Sequence, residues 1–161
     1  MRHYGIARWA LTVATVAVAF AGSLLPTGTA AASINDNNLA LTTDYEAQCG
    51  YEPAGELLFV DYGEGSPSDP AKNDDYLEVR DFCLDGDGVK GWVWLNGVCL
   101  EQCQGKYNGN GGGTSVIWDP FKQFPGNVNA GDKIGLKICR VNGPNGTPYD
   151  CGTKNFTSQD G

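Results

Sequence analysis

The chain has 161 residues, a formal net charge of −8 and 41% apolar side chains. Its surplus of carboxylates argues against nucleic acid and anionic lipid headgroups as partners, because like charge repels both at long range. The length suits one domain around a single core.

Residues 1–32 carry the three adjoining parts of a secretory signal peptide. Arg2 and Arg8 make a basic start, residues 9–25 are nearly all apolar or small, and Ala30, Ala31 and Ala32 offer small side chains to a peptidase. Thr12, Thr15, Gly22 and Ser23 interrupt the apolar run, which is already short for the roughly 20 residues of a membrane span. Cleavage after Ala32 is therefore expected, with release outside the cell. The remainder, 33–161, keeps all six cysteines and loses both His3 and Met1.

Beyond the leader, residues 33–48 read as a loose N-terminal segment, polar at its start, and 49–161 as a single β domain. Residues 56–62 (ELLFVDY) suit a strand, and the breaker-rich stretch 63–70 ends it. Over 76–83 the pattern alternates, with Leu77, Val79 and Cys83 on one side and Glu78 and Arg80 on the other. Asp85-Gly86-Asp87-Gly88 is a turn sequence, so a strand at 89–95 is expected to return as a hairpin. Asn96-Gly97 turns the chain again.

The later half repeats this grammar. Residues 105–113 contain five glycines and two asparagines and are predicted to be an exposed, mobile loop before a short strand at 115–118. Asp119-Pro120 stops that strand. The clearest alternation sets Ile134, Leu136 and Ile138 against Lys133, Gly135 and Lys137, and the turn-rich stretch 142–146 breaks it before Cys151. Short strands between Gly, Asn and Pro clusters indicate an all-β antiparallel sandwich or small barrel.

Cys49, Cys83, Cys99, Cys103, Cys139 and Cys151 form an even set, which in a small exported chain favours three disulfides. A C-x3-C spacing without histidine matches no common structural zinc site. Local closure pairs Cys99 with Cys103 and Cys139 with Cys151, leaving Cys49 for Cys83.

The span from Tyr76 to Cys151 resembles small exported β-proteins of actinobacteria, Streptomyces-like sequences of uncharacterised function. The residues that carry the likeness are Val79-Arg80-Asp81, Asp85-Gly86-Asp87-Gly88-Val89, Trp94-Leu95-Asn96-Gly97, Tyr107-Asn108-Gly109-Asn110-Gly111, Trp118-Asp119-Pro120 and the run from Gly131 to Cys139. The resemblance implies a β fold and export, and it brings no catalytic residue with it.

Without histidine, Ser-His and Cys-His nucleophilic sites are not available to the processed chain. Asp61, Glu78, Asp81, Asp85 and Asp87 are the carboxylates a glycosidase-like pair would draw on, but the pattern reads them as turn formers and solvated strand faces. Asp85 and Asp87 are also weak metal candidates: the spacing suits calcium, yet Val89, Gly91 and Val93 stand where later oxygen ligands belong. No catalytic residue and no cofactor is expected.

The aromatic residues carry the positive signal. Trp92 and Trp94 share one face of a strand, about 7 Å apart. Facing out with Tyr107, Asn108 and Trp118, they would form a platform for sugar rings; facing in, they would be core, and the inward arrangement is favoured because a small domain usually packs its tryptophans. The expected function is that of a secreted, monomeric, non-enzymatic binding or structural domain whose ligand the sequence does not name, with carbohydrate or cell-wall polymer binding as the leading specific version. The alternative is an extracellular protease inhibitor presenting residues 142–149, tethered between Cys139 and Cys151.

Overall fold

In the computed structural model the described residues are 37–43, 49, 53–61, 75–121 and 128–159. Ala32–Gly161 forms a compact unit of its own. The leader expected at 1–32, most of the N-terminal 33–48 segment and the breaker stretch 63–70 lie outside the described residues.

Among the described residues nine strands form two antiparallel sheets: β1 (Asn38–Leu41), β2 (Gly55–Asp61), β3 (Asp75–Asp81), β4 (Gly88–Leu95), β5 (Val98–Cys99), β6 (Lys106–Asn108), β7 (Thr114–Trp118), β8 (Lys133–Val141) and β9 (Tyr149–Thr157). The first sheet runs β1-β2-β3-β7, and the second runs β5-β4-β8-β9 with β6 also on β4. The expected all-β sandwich with three disulfides is the fold. No helix among the described residues is long and apolar enough to cross a membrane.

The inner faces follow the period-2 pattern. Leu57, Phe59, Leu77 and Val79 from the first sheet meet Val89, Val93, Leu95, Ile134, Leu136 and Ile138 from the second, all buried. Phe59 is central, its ring 5.8 Å from Phe121 and 5.4 Å from Phe156. Glycines let the sheets approach: a Cβ at Gly55 would lie 2.4 Å from Val89 Cγ1, one at Gly91 2.8 Å from Leu57 Cδ1, and one at Gly152 would overlap the Leu41 carbonyl.

Asn96 (φ 51°) and Gly97 (φ 84°) both adopt the left-handed conformation, which a two-residue hairpin needs between β4 and β5. The hairpin expected at Asp85-Gly86-Asp87-Gly88 does not form. β3 pairs with β2 and β7, whereas β4 pairs with β8, so residues 82–87 cross between sheets. Asp85 and Asp87 account for the crossing, since their carboxylates bind Arg140 of β8 and the Tyr149 hydroxyl of β9. The expected open loop at 105–113 is likewise corrected: it contains β6, and Asn108 within it is completely buried. β1 in the 33–48 segment and β9 after the turn at 142–146 likewise have no counterpart in the sequence reading.

Cys49 is bonded to Cys83, Cys99 to Cys103 and Cys139 to Cys151, the pairing that local closure gives.

Candidate functional site

The two tryptophans of β4 face outward. Val89, Gly91, Val93 and Leu95 are buried in alternation with half-exposed Lys90, Trp92 and Trp94, so the expectation of a tryptophan core is corrected for this pair. The choice follows from packing: Gly91 leaves room for Leu57, and a large side chain on that face would force the sheets apart.

Register builds the surface around them. Trp94 stands opposite Gly135, and Gly135 opposite Asn155; Trp92 stands opposite Lys137, and Lys137 opposite Thr153. Gly135 has no side chain to lift the indole. A Cβ there would be 3.6 Å from Trp94 Cβ, 3.9 Å from Trp94 Cε3 and 3.0 Å from Asn155 Oδ1, so the indole lies low over the neighbouring strand. Trp94, Gly135, Thr153, Asn155 and Thr157 line a shallow groove of about 580 Å³.

Trp92 lines a second groove, of about 510 Å³, with Lys90, Tyr107 and Pro144. Its orientation is fixed from three directions. The indole Nε1 donates to the Cys103 carbonyl at 3.1 Å, and the ammonium groups of Lys90 and Lys137 lie 5.7 and 5.4 Å from the ring centroid. Such contacts contribute about 0.5–1 kcal/mol each at exposed sites. The carbonyl partner is presented by the short turn that the Cys99–Cys103 disulfide closes, where Glu101, Gln102 and Cys103 all have positive φ.

The remaining predicted platform residues divide. Tyr107 is half-exposed, stands opposite Lys90 and lays its ring over Gly88, so it joins the outward face. Trp118 is only 4% exposed, belongs to the core and donates its Nε1 to Glu101 Oε2 at 3.0 Å. Asn108 is interior: its amide donates to the Val79 and Thr114 carbonyls, both at 3.0 Å, and its oxygen accepts from the Asn110 N–H at 3.2 Å. It ties β6 to β3 and β7 and is not on the surface where a ligand would meet it. The reading of the sequence missed Lys133, Gly135, Thr153 and Asn155, which reach the site only through strand pairing.

The carboxylates are occupied elsewhere. Glu56 and Glu78 bracket Arg80 at 2.8 and 2.7 Å on the outer face of the first sheet. Asp61 is buried. Asp85 and Asp87, the weak metal candidates, are joined through an Asp87 N–H to Asp85 Oδ1 bond of 2.9 Å, and their Oδ2 atoms accept from Arg140 and from the Tyr149 hydroxyl. The Arg140 guanidinium already supplies positive charge at that place and also lies 5.0 Å from the Tyr149 ring centroid. Burial, followed by the bond to Asp87, pushes the Tyr149 hydroxyl up to about 12.

Asp81, in the same end of the sandwich, is 1% exposed. Burial first, and the Asp85 charge to a lesser degree, push its carboxyl up to about 6 against the opposing Cys83 N–H bond. Residues 142–149, the expected inhibitor loop, curl into a turn closed by the Gly146 N–H on the Gly143 carbonyl at 3.0 Å. Lys90 Nζ then binds the Pro144 carbonyl at 3.0 Å and draws that turn against the second groove.

No protein-family model, curated protein or solved structure matches the chain. Fold and site together define a disulfide-braced antiparallel sandwich with an aromatic outer face on its second sheet.

Proposed function

We propose that this chain is a non-enzymatic extracellular domain that binds a carbohydrate or cell-wall polymer on the outer face of its second sheet. The observation that carries the reading is the seating of Trp94 over Gly135, beside the hydroxyls of Thr153 and Thr157 and the amide of Asn155. A sugar ring has apolar C–H faces and a polar rim. A flat indole meets the first by stacking, and short hydroxyl and amide side chains at its border meet the second. Three disulfides suit an oxidising compartment. Among the described residues no carboxylate lines either groove, so the arrangement favours holding a glycan over hydrolysing one.

The test is retention of the purified chain on insoluble cellulose, chitin and cell-wall polysaccharide, compared with Trp94→Ala and with Ser115→Ala on the other sheet. Trp94→Ala is expected to weaken retention by about tenfold or more, as loss of a central aromatic anchor does, and Ser115→Ala to leave it unchanged. Equal retention of all three proteins would remove the site from the reading.

A further inference from the structure

We infer that the polymer taken by this face is an acidic polysaccharide, a chain of pyranose rings bearing carboxylates of the uronic-acid kind. The inference rests on the carbohydrate reading above and adds the charge of the ligand.

The second sheet segregates charge. The chain has 19 acidic and 11 basic residues, yet the two grooves contain Lys90, Lys133 and Lys137 and, among the described residues, no Asp or Glu. The outer face of the first sheet has the opposite character, with Glu56 and Glu78 around the single guanidinium of Arg80. A lysine concentration on this tryptophan-bearing face of an acidic protein is not needed for solubility, which the surplus of carboxylates already provides.

Strand register places these lysines where a ring-borne anion would need them. On β8 the same-face residues are Lys133, Gly135 and Lys137, so a lysine stands on each side of the Trp94–Gly135 seat, its backbone about 7 Å along the strand. Each lysine also has a hydroxyl partner on β9, Thr157 opposite Lys133 and Thr153 opposite Lys137, while Asn155 stands opposite Gly135. A pyranose stacked on Trp94 would therefore have an amide at its centre line and cations toward both neighbouring rings of the polymer. The ammonium of Lys137 is held near the Trp92 ring, which keeps it on this face before any ligand arrives. The net negative charge of the chain opposes a polyanion at a distance, but screening over about 8 Å at physiological ionic strength leaves the contact to the lysines themselves. A polymer of phosphates without pyranose rings would satisfy the cations and leave the indole unused.

The experiment is affinity electrophoresis of the chain through gels containing polygalacturonate, its fully methyl-esterified form, or polyphosphate. Polygalacturonate is expected to retard the chain at least about tenfold more strongly than the ester, since each lost charged hydrogen bond costs on the order of that factor. Added salt is expected to reduce the retardation, and Lys133→Gln with Lys137→Gln to bring it near that of the ester. Gly135→Val, which props up the indole without altering charge, is expected to weaken both polysaccharides. Retardation by polygalacturonate and its ester alike, insensitive to salt and to the lysine variants, would overturn the acidic ligand and leave the carbohydrate reading standing. Equal retardation by polyphosphate would overturn the requirement for a pyranose. No retardation by any of these, together with no retention on neutral polysaccharides, would overturn both readings.

Discussion

Replacing Asp81 by Asn should make the protein more stable at neutral pH and remove most of its pH dependence between about pH 4 and pH 6. Asp81 ends β3 with its side chain buried; one carboxylate oxygen accepts the Cys83 N–H at 3.0 Å, and the other has no hydrogen-bond partner. Burial lifts the carboxyl from 3.8 to about 6. The folded chain therefore holds this proton more tightly than the unfolded chain does. Stability is greatest below the unfolded value and declines as pH rises through the folded one, by about 3 kcal/mol in all. Asp132 acts in the opposite sense but in another window. Bonds from Asn96 and the Asn129 N–H hold its carboxyl below the ordinary range, so its stabilisation is lost only in stronger acid. Asn at position 81 keeps the acceptor for Cys83 and discards the charge, at the cost of about 1 kcal/mol for an amide donor without an acceptor. The expected net gain near neutral pH is about 1–2 kcal/mol. Urea unfolding with disulfides intact, followed by fluorescence across this pH range, measures it. A wild-type stability that does not fall between about pH 4 and pH 6, or a variant destabilised equally at both ends, would contradict a proton retained by buried Asp81.

Other perturbations have equally definite outcomes. Loop closure ranks the disulfides by sequence separations of 34, 12 and 4 for Cys49–Cys83, Cys139–Cys151 and Cys99–Cys103. Paired Cys→Ala variants are thus expected to lose about 4, 3 and 2 kcal/mol in that order, and urea midpoints in any other order would contradict it. Asn108→Ala strands the Val79 and Thr114 carbonyls and is expected to cost about 2–4 kcal/mol in the same assay; a loss below about 1 kcal/mol would mean that solvent reaches them. Opening Cys99–Cys103 alone should free the Cys103 carbonyl from Trp92 Nε1 and increase iodide quenching of tryptophan emission, whereas unchanged quenching would show that Lys90 and Lys137 suffice to hold the ring.

The strands with strict alternation were legible because period 2 on a half-buried sheet writes itself into residues such as Leu77 and Val79 or Ile134, Leu136 and Ile138. On β4 the same pattern was ambiguous, since both faces are apolar. The inward side was decided by Leu57 filling the space beside Gly91, a contact between strands far apart in sequence. β9 escaped notice because it is an edge strand with a polar outer row, sending Phe156 against the core. Asn108 looked like a loop residue in a run of glycines because its partners on β3 and β7 appear only after folding. The candidate site was half legible. Trp92, Trp94 and Tyr107 could be named from residue type, while Gly135, Thr153, Asn155 and the flanking lysines depend on which strands pair.

Glycan binding on the outer face of the second sheet is read by an NMR titration of the tryptophan indole N–H signals, with a short oligogalacturonide and a cello-oligosaccharide as probes. The Trp94 signal and backbone amides of residues 133–137 and 153–157 are expected to move with one or both sugars, while Trp118, buried against Glu101, stays still. Shifts confined to another surface, or a Trp94 signal unmoved by either sugar at saturation, would contradict it.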